Sequence, residues 1–227
     1  MKYETLIKNN TYFYIYPPRP ENAISHTELF KYDNTNFIAQ PKYNGTCCIV
    51  FIPPAGTGIP IVMNRHKRPI QNTFNIEFAS LNTTDEWMVL VGELMNKSKK
   101  DEKGNLFNGK FILFDILVYN GDYLLKTTLE ERLLILEELF PSVRTAVTKK
   151  GGVQNWQHIC PTRVDNVYKA PSYTVRFEEV YHSIVETDMY EGLVLKKKNV
   201  PLGFGTQEVN NDKWQLKCRK PTKNYNF

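Results

Sequence analysis

One lysine of the sequence lies between rigid flanks, where it could act as a nucleophile. Lys42 occurs in QPKYNGTCC, residues 40–48, between Pro41 and a predicted turn at Gly45. Proline biases the preceding residue toward extended backbone, and glycine permits a tight turn with close backbone approach. A lysine amine attacks only after it loses its proton, which burial or neighbouring cations favour. Lys42 is therefore a candidate nucleophile, although a lysine beside an N-G turn is more often an ordinary surface residue.

Carboxylates interrupt or begin three apolar segments. Glu93 lies in the middle of VGELMN, and Asp115 lies in KFILFDIL directly after Phe114. An unpaired carboxylate in such a segment is costly, so each is expected to meet a polar partner. Glu191 begins the segment EGLVLK. A salt bridge at a strand end explains any one of these residues, but as a set they could hold ribose or a metal ion.

Cations gather in the C-terminal segments. Lys196 ends EGLVLK, and KWQLKCRK places Lys217 and Arg219 two residues apart, on one face of a strand. Residues 141–227 carry 14 lysines and arginines against 8 acidic residues, whereas residues 1–140 carry 15 against 16. Such a bias indicates either a solvated basic face or a site for polyphosphate or nucleic acid.

The elements that would position these side chains are mostly strands. Apolar or alternating segments between turns predict strands at 46–52, 59–65, 88–95, 110–119, 191–198 and 212–220. The first two form a predicted hairpin, and the third and fourth are expected at the centre of a sheet. Strands with few helices and no regular βαβ alternation predict an α+β fold around antiparallel sheets.

Two helices are predicted beside these strands. The helix at 127–140 has a predicted capping box between Thr128 and Glu131, and the second helix covers about 173–186. Their buried stripes are expected to be Leu129, Leu133, Leu136 and Phe140 in the first helix, and Phe177, Val180, Tyr181 and Ile184 in the second.

The composition is that of a folded protein with a substantial core. The chain has 227 residues, of which 41% are apolar and 13% aromatic, and its formal net charge is +5. The N-terminal segment lacks a signal peptide's hydrophobic region, and no stretch approaches the roughly 18 apolar residues of a membrane span. The four cysteines have no zinc-like spacing and are expected to be reduced. A soluble, intracellular protein, located in the cytoplasm, is expected.

These motifs resemble, in order along the chain, those of the covalent nucleotidyltransferases, which comprise polynucleotide ligases and mRNA capping guanylyltransferases. The resemblance implies the ligase-type nucleotidyltransferase fold, which is ATP-grasp-like, with antiparallel sheets and flanking helices. It also implies that residues 1–227 form a single nucleotidyltransferase domain. The matching stretches are KYNG (42–45), NRHKR around Arg65, VGEL (91–94), FDIL (114–117), EGLVLK (191–196) and KCRK (217–220).

The resemblance implies a role for each motif residue. Lys42 would attack the α-phosphate of ATP, expel pyrophosphate and become a lysyl-AMP, and Glu191 would bind Mg²⁺ or Mn²⁺. The neighbouring cations would favour the neutral, nucleophilic amine. The other cofactor-binding positions would be Gly45 in the lysine motif, Arg65 at the nucleotide or the nucleic-acid end, Glu93 at the ribose, Phe114 against the base, and Lys196, Lys217 and Arg219 at the phosphates.

Three features bear on the substrate. Asn44 occupies a position where DNA ligases and capping enzymes carry Asp, which favours an RNA ligase. Arg219 occupies a position where most relatives carry a second lysine, and it keeps the charge but has a planar, bidentate head group. The chain ends seven residues after Lys220, so no C-terminal OB domain is expected. The helix sequence at 127–140, in contrast, resembles the corresponding DNA ligase segment.

The sequence therefore predicts an ATP-dependent RNA ligase that seals 5′-phosphate to 3′-hydroxyl ends. A DNA ligase or a GTP-using capping enzyme would share the chemistry and differ in substrate. An inactive nucleotide- or RNA-binding module is an alternative from another class, favoured by Asn44 and the expected absence of an OB domain. Candidate cations for a salt-sensitive nucleic-acid surface are Lys197, Lys198, Lys220, Lys223 and the lysine-rich loop 97–103.

Overall fold

Two β-sheets with helices packed against them form the fold. The structure is a computed structural model that describes residues 14–71, 74–142, 156–203 and 211–221. In these residues the strands are β1 Arg19–Ala23, β2 Phe37–Tyr43, β3 Thr46–Ile52, β4 Ile61–Asn64, β5 Met88–Met95, β6 Lys110–Tyr119, β7 Asp122–Tyr123, β8 Cys160–Pro161, β9 Val167–Lys169, β10 Tyr190–Lys197 and β11 Asn211–Arg219. The α-helices are α1 Leu129–Leu139 and α2 Phe177–Ile184, and His26–Tyr32 and Phe78–Leu81 are 3-10 helices.

The first sheet has four strands in the order β1-β11-β10-β2. β10 is antiparallel to both β2 and β11, whereas β1 is parallel to β11. β2 lies at one edge of the sheet, where Pro41 is tolerated although it has no N–H to donate. Because Gly192 of β10 lies opposite both Lys42 and Arg219, the sheet brings three distant motifs together.

The second sheet has seven strands and is buried on both faces. Six strands follow the order β4-β3-β5-β6-β9-β8, and β7 pairs with β6. Along β3, Cys48 and Val50 face one core cluster, whereas Ile49 and Phe51 face another. Burial on both faces explains why β3, β5 and β6 have nearly continuous apolar sequences.

The six predicted strands are all present, and three of them, 46–52, 88–95 and 110–119, match at both ends. β5 and β6 are central in their sheet, as predicted. The sequence does not predict β1 and β2, because Pro20 and Pro41 interrupt these segments, and both lie at the edges of the first sheet. The α+β class is confirmed, but the pairs β1–β11 and β6–β9 are parallel, so the sheets are mixed rather than purely antiparallel.

Both predicted helices are present but shorter. The capping box of α1 is confirmed, since the Glu131 N–H donates to the Thr128 hydroxyl and the Thr128 N–H donates to the Glu131 carboxylate. α2 begins four residues later than predicted because Arg176 has a left-handed backbone, with φ 58°. The predicted stripe of α2 is buried, whereas in α1 Leu133 is half-buried and Arg132 is fully buried.

Three apolar clusters form the core. One packs α2 and the 3-10 helix His26–Tyr32 against the first sheet, and the other two cover opposite faces of the second sheet. Phe114 of β6 packs against the first cluster and against one of the other two, so it lies where the sheets meet. Within the described ranges, no helix is long and apolar enough to cross a membrane.

Candidate active site

A cleft opens where the two sheets meet. Residues of β2, β10 and β11 line it from the first sheet, and residues of β3, β5 and β6 line it from the second. Gly45 and Glu191, two of the nine predicted site residues, contact lining residues. The other seven line the cleft themselves: Lys42, Arg65, Glu93, Phe114, Lys196, Lys217 and Arg219.

The Lys42 amine forms an ion pair with the Glu191 carboxylate. Nζ of Lys42 donates a hydrogen bond to Oε2 of Glu191, and the two side chains are 21% and 28% exposed. Tyr190 lies opposite Tyr43 and Gly192 lies opposite Lys42, so Glu191 is an extra, bulged residue of β10. A bulge redirects a side chain, here toward the lysine. The expectation that cations surround the amine is therefore incomplete, because its ion-pair partner is an anion.

Gly192 allows β10 and β11 to approach each other next to this bulge. Its φ of 132° favours glycine, and a Cβ atom at this position would overlap the carbonyl oxygen of Cys218. Arg219 follows Cys218, and its Nε lies 3.8 Å from Oε2 of Glu191. The sequence Glu191-Gly192 therefore has two effects. The bulge turns the Glu191 carboxylate toward Lys42, and Gly192 lets β10 pack closely against β11, the strand that carries Arg219.

Glu93 has the polar partner that its position predicts. Its Oε1 accepts a hydrogen bond from the Gly45 N–H at 2.9 Å. Gly45 approaches β5 so closely that a Cβ atom would overlap the Leu94 carbonyl oxygen. Burial raises the pKa of Glu93 to about 7, and Lys42 and the Gly45 hydrogen bond oppose this shift. Glu93 therefore fixes the turn that follows Lys42 and also lines the cleft.

Lys196 is a buried cation of the cleft. Lys196 is 5% exposed, and its Nζ lies 4.8 Å from the centroid of the Phe114 ring. Burial lowers the pKa of Lys196 to about 8, and the Asp115 carboxylate opposes this shift. The face of an aromatic ring attracts a cation through the ring quadrupole. The predicted phosphate-binding and base-binding residues are therefore neighbours.

Asp115 is paired with an arginine of α1. Arg132 donates from Nε to Oδ1 at 2.8 Å and from Nη2 to Oδ2 at 3.0 Å, and the Ile116 N–H donates to Oδ1 at 2.9 Å. This bidentate geometry satisfies both charged groups, which are buried. Asp115 therefore holds α1 against β6, and the predicted set of available carboxylates reduces to Glu93 and Glu191.

Two residues that the sequence does not single out also line the cleft. Gln40 is 2% exposed; its Nε2 donates to Oγ of Ser172 at 3.1 Å, and its Oε1 accepts no hydrogen bond from a described residue. Arg19 belongs to Pro-Pro-Arg-Pro, residues 17–20, all of which line the cleft. The prolines were an available signal for a rigid segment, whereas no pattern predicts the burial of Gln40.

Several lysines predicted to contact nucleic acid already contact the protein. Nζ of Lys97 donates to Oδ1 of Asn44 at 3.3 Å, which attaches the lysine-rich loop to the turn after Lys42. Lys223 lies outside the described residues. The other contacts are Lys99 with Asp188 at 3.1 Å, Lys198 with Glu130 at 3.8 Å, and Lys220 with the Thr187 carbonyl oxygen at 3.1 Å.

The described residues contain no group of three or more His, Cys, Asp or Glu side chains that could hold a metal ion by themselves. A Mg²⁺ ion at a phosphate site takes one or two carboxylates and completes its shell with substrate phosphates and water. Glu191, a carboxylate next to the cleft cations, fits such a site as a single protein ligand.

The sequence profile of one family, described as mRNA capping enzyme, catalytic domain, matches residues 13–217. The chain therefore belongs to this family, and with it to the covalent nucleotidyltransferases. A search of curated proteins finds no match.

Solved structures of DNA ligases share the fold at low sequence identity. Mycobacterial DNA ligase D complexed with ATP and MES is 15% identical, with a TM-score of 0.58 over 90% of this chain and 60% of that one. The ligase domain of LigD from M. tuberculosis is 15% identical, with a TM-score of 0.57 over 90% of this chain and 59% of that one. The chain thus spans about 60% of the length of these structures. The predicted ligase-type nucleotidyltransferase fold is confirmed.

Proposed function

We propose that the chain is an ATP-dependent polynucleotide ligase, with RNA as its favoured substrate, that acts through a covalent bond between Lys42 and AMP. One observation supports this most directly: the Lys42 amine is hydrogen-bonded to Glu191 beside the cleft that Lys196, Lys217 and Arg219 also line. A candidate nucleophile, a carboxylate and cations for phosphate are therefore within one site.

In the first step, the nitrogen of Lys42 attacks the α-phosphorus of ATP. A nitrogen–phosphorus bond forms, the bond to the bridging oxygen breaks, and pyrophosphate leaves. The amine proton passes to solvent, because Glu191, which accepts a hydrogen bond from Nζ in the free protein, would hold the divalent ion when the nucleotide is bound. Cations aimed at the phosphate oxygens offset the charge of the transition state. We assign this role to Lys196, Lys217 and Arg219.

Two further transfers at phosphorus complete the reaction. An oxygen of the 5′-phosphate end attacks the AMP phosphorus, and the bond to Lys42 breaks. The 3′-hydroxyl of the other end then attacks the 5′-phosphate, and AMP leaves. Each step replaces one bond at phosphorus with another, so no further co-reactant is needed. Arg65, which is exposed at the cleft, would hold the incoming end.

Three residues would recognise the nucleoside. Glu93 would accept a hydrogen bond from a ribose hydroxyl, and Phe114 would stack on the base. The buried Oε1 of Gln40, which accepts no hydrogen bond from a described residue, complements the exocyclic amino group of adenine. Guanine has a carbonyl oxygen at that position, so Gln40 supports ATP as the nucleotide.

A divalent ion and the RNA preference complete the proposal. Glu191 would hold Mg²⁺ or Mn²⁺ together with phosphate oxygens, and the bound ion would neutralise phosphate charge. The RNA preference rests on Asn44, whose neutral amide contacts Lys97 where an aspartate would form an ion pair.

The test is covalent labelling by α-labelled ATP in the presence of Mg²⁺. We expect the wild-type chain to keep the label after denaturation and Lys42→Ala to lose it. Lys42→Arg retains the charge beside Glu191 without a comparable nucleophile, so it should also lack label. Lys100→Ala removes an exposed lysine outside the cleft and serves as the matched control that keeps the label. No label from either ATP or GTP would overturn the proposal in favour of a binding module.

Sealing assays then determine whether the polynucleotide substrate is RNA or DNA. Nicked substrates with a 5′-phosphate and a 3′-hydroxyl are compared as all-RNA, all-DNA and hybrid duplexes. We expect the RNA nick to be sealed fastest. Faster sealing of DNA would reject the RNA preference and leave the ligase chemistry in place.

A GTP-using guanylyltransferase is the second candidate, because the matching family profile is that of capping enzymes. It shares the Lys42 chemistry and differs in the nucleotide and in the acceptor. Label from GTP but not from ATP, in the same experiment, would replace the ligase with this candidate.

A further inference from the structure

The loop between β5 and β6, residues 96–109, contacts the segments that carry both members of the Lys42–Glu191 pair. On the side of Lys42, the hydrogen bond between Lys97 and Asn44 attaches the loop to the turn that follows the lysine. On the side of Glu191, the loop contacts the three residues that directly precede the glutamate. Because the loop joins two strands of the second sheet, it connects this sheet to the reactive segments of the first.

The three residues that precede Glu191 each contact the loop. The contacts are Lys99 Nζ donating to Asp188 Oδ1 at 3.1 Å, the Met189 N–H donating to the Lys100 carbonyl oxygen at 3.2 Å, and the Tyr190 hydroxyl donating to the Glu102 carboxylate. Tyr190 is fully buried, so its hydroxyl needs an acceptor within the protein. Burial, followed by the hydrogen bond to Glu102, raises the pKa of Tyr190, so the hydroxyl remains a donor at neutral pH.

A closed turn of the loop presents Glu102 to Tyr190. Oδ1 of Asp101 accepts hydrogen bonds from the N–H groups of Lys103 and Asn105, at 2.9 and 2.8 Å. An aspartate that accepts from backbone groups two residues or more ahead of it stabilises a turn. The backbone of Glu102 is therefore held in place although the residue is exposed.

Tyr190 pairs with β2 directly before the bulge of β10. It lies opposite Tyr43, and the centroids of the two rings are 5.6 Å apart. Glu191 has no partner residue in β2, so the direction of its side chain depends on the residues at either side of it. Gly192 fixes one side through its close approach to β11. Tyr190 fixes the other side through its contacts with Tyr43 and Glu102.

We propose that Tyr190 and Glu102 are positioning residues for the reaction of Lys42, because their hydrogen bond holds the bulge that turns the Glu191 carboxylate toward the amine. Neither of the two is among the described residues that line the cleft, so both act through Glu191 rather than on the nucleotide. The inference rests on the proposed function, in which Glu191 holds the divalent ion during the attack on ATP. A misdirected carboxylate would slow this attack more than it would weaken ATP binding.

The first experiment measures the rate of label formation from α-labelled ATP. Tyr190→Phe keeps the ring and removes the hydroxyl, so we expect the rate constant at saturating ATP to fall about tenfold, with the KM for ATP near its wild-type value. Glu102→Ala should have the same effect. Glu102→Gln, whose amide oxygen can still accept the hydroxyl, should stay near wild type. Since both changes remove one hydrogen bond, the double variant Tyr190→Phe with Glu102→Ala should be no slower than either single variant.

Tyr173→Phe is the matched control for Tyr190→Phe. Tyr173 packs against the same core cluster, and its hydroxyl donates to the Gln157 carbonyl oxygen at 2.6 Å. We expect this variant to lose stability in urea, as Tyr190→Phe does, and to keep the wild-type rate of label formation. The proposal would be overturned by equal slowing in Tyr173→Phe and Tyr190→Phe, by a wild-type rate in Tyr190→Phe, or by additive losses in the double variant.

The second experiment does not depend on a nucleotide. NMR of the lysine side-chain nitrogens in the full chain reports on Lys42, whose Nζ resonance is assigned by its loss in Lys42→Ala. We expect Tyr190→Phe and Glu102→Ala to shift this resonance, because the Glu191 carboxylate moves relative to the amine. Glu102→Gln and Tyr173→Phe should leave it unchanged. A wild-type chain that takes no label would reject the proposed function, whereas an unchanged Lys42 resonance in Tyr190→Phe would reject the positioning role.

Discussion

Lys196 carries its charge where the protein excludes most water. Burial lowers the pKa of Lys196 from its ordinary value of 10.5 to about 8. A phosphate bound beside it would stabilise the protonated amine and raise its pKa again. The free and nucleotide-bound forms of the protein would then hold different numbers of protons near pH 8.

Nucleotide binding by Lys42→Ala protein is therefore expected to take up protons. At pH 8 about half of the Lys196 amines are neutral in the free protein, so binding should take up about half a proton per site. Since the complex holds more protons, ATP affinity should fall as the pH rises through 8. Calorimetric titration of ATP in buffers with different ionisation enthalpies measures this uptake.

Two variants test whether Lys196 is the titrating group. Lys196→Arg stays protonated over this pH range and should bind ATP without the uptake. Lys197→Arg changes the next, exposed lysine in the same way and should keep the wild-type uptake. Proton uptake that persists in Lys196→Arg would assign the pKa to another group.

Some site residues were predictable one by one, and others were not. Glu93 and Lys42 could be recognised because a charged residue within or beside an apolar strand is informative alone. Arg19 depends on the parallel pairing of β1 with β11, and Gln40 depends on a contact with Ser172. Such long-range pairings have no local sequence signal, so only the fold reveals these two residues.

At the scale of elements, the ion pair between α1 and β6 is a strong test of the fold. Replacing Arg132 with Met leaves the Asp115 carboxylate buried without its ion-pair partner. Breaking a buried pair in this way costs about 3–5 kcal/mol. We expect the free energy of unfolding, measured by urea titration, to fall by this amount in Arg132→Met.

The double variant Arg132→Met with Asp115→Asn separates the cost of the unpaired charge on Asp115 from the cost of the packing lost with the Arg132 side chain. Because the charge on Asp115 is removed as well, much of the lost stability should return. Glu138→Gln, an exposed change on the same helix, should leave stability nearly unchanged. A double variant no more stable than Arg132→Met alone would show that packing, rather than the unpaired charge, causes the loss.

The sequence predicts α1 well in its capping and less well in its buried face. The capping box is local, and Thr128 and Glu131 are sufficient to recognise it. The fully buried Arg132 was not predicted, because an arginine between helical leucines is typical of a solvent-facing position. Its burial depends on Asp115 in a strand that precedes the helix.

At the scale of the whole molecule, a lysine in a basic segment does not necessarily belong to a nucleic-acid-binding surface, because an acidic residue can already offset its charge. Lys198 lies near Glu130, whereas Lys197 is exposed above the Phe37 ring. We expect Lys197→Gln to reduce the salt dependence of single-stranded RNA binding by about 0.7 in the slope of log K against log salt, as for one lost phosphate contact. Fluorescence anisotropy at several salt concentrations measures the slope.

Lys198→Gln is the matched control for that experiment. Its change in slope should be smaller, because Glu130 already offsets part of the charge of Lys198. Equal slopes for Lys197→Gln and the wild-type chain would exclude Lys197 from the RNA surface.

The arrangement of the two sheets could be predicted only in part. Local patterns predict the strands and place β5 and β6 centrally, but the parallel pairing of the N-terminal strand β1 with the C-terminal strand β11 joins distant segments. The family resemblance supplied the fold that such patterns leave open. A single domain over residues 1–227 stays a prediction.

The bulge at Glu191 has a consequence for the chemistry of the resting protein. A protonated lysine amine that donates a hydrogen bond to a neighbouring carboxylate is a poor target for aldehydes, cyanates and other small electrophiles, which react with neutral amines. The contact between Glu191 and Lys42 would therefore shield the proposed nucleophile until a negatively charged ligand competes with Glu191 for the cations around it. The protein would then already discriminate between small electrophiles and a negatively charged nucleotide before it recognises the base or the sugar.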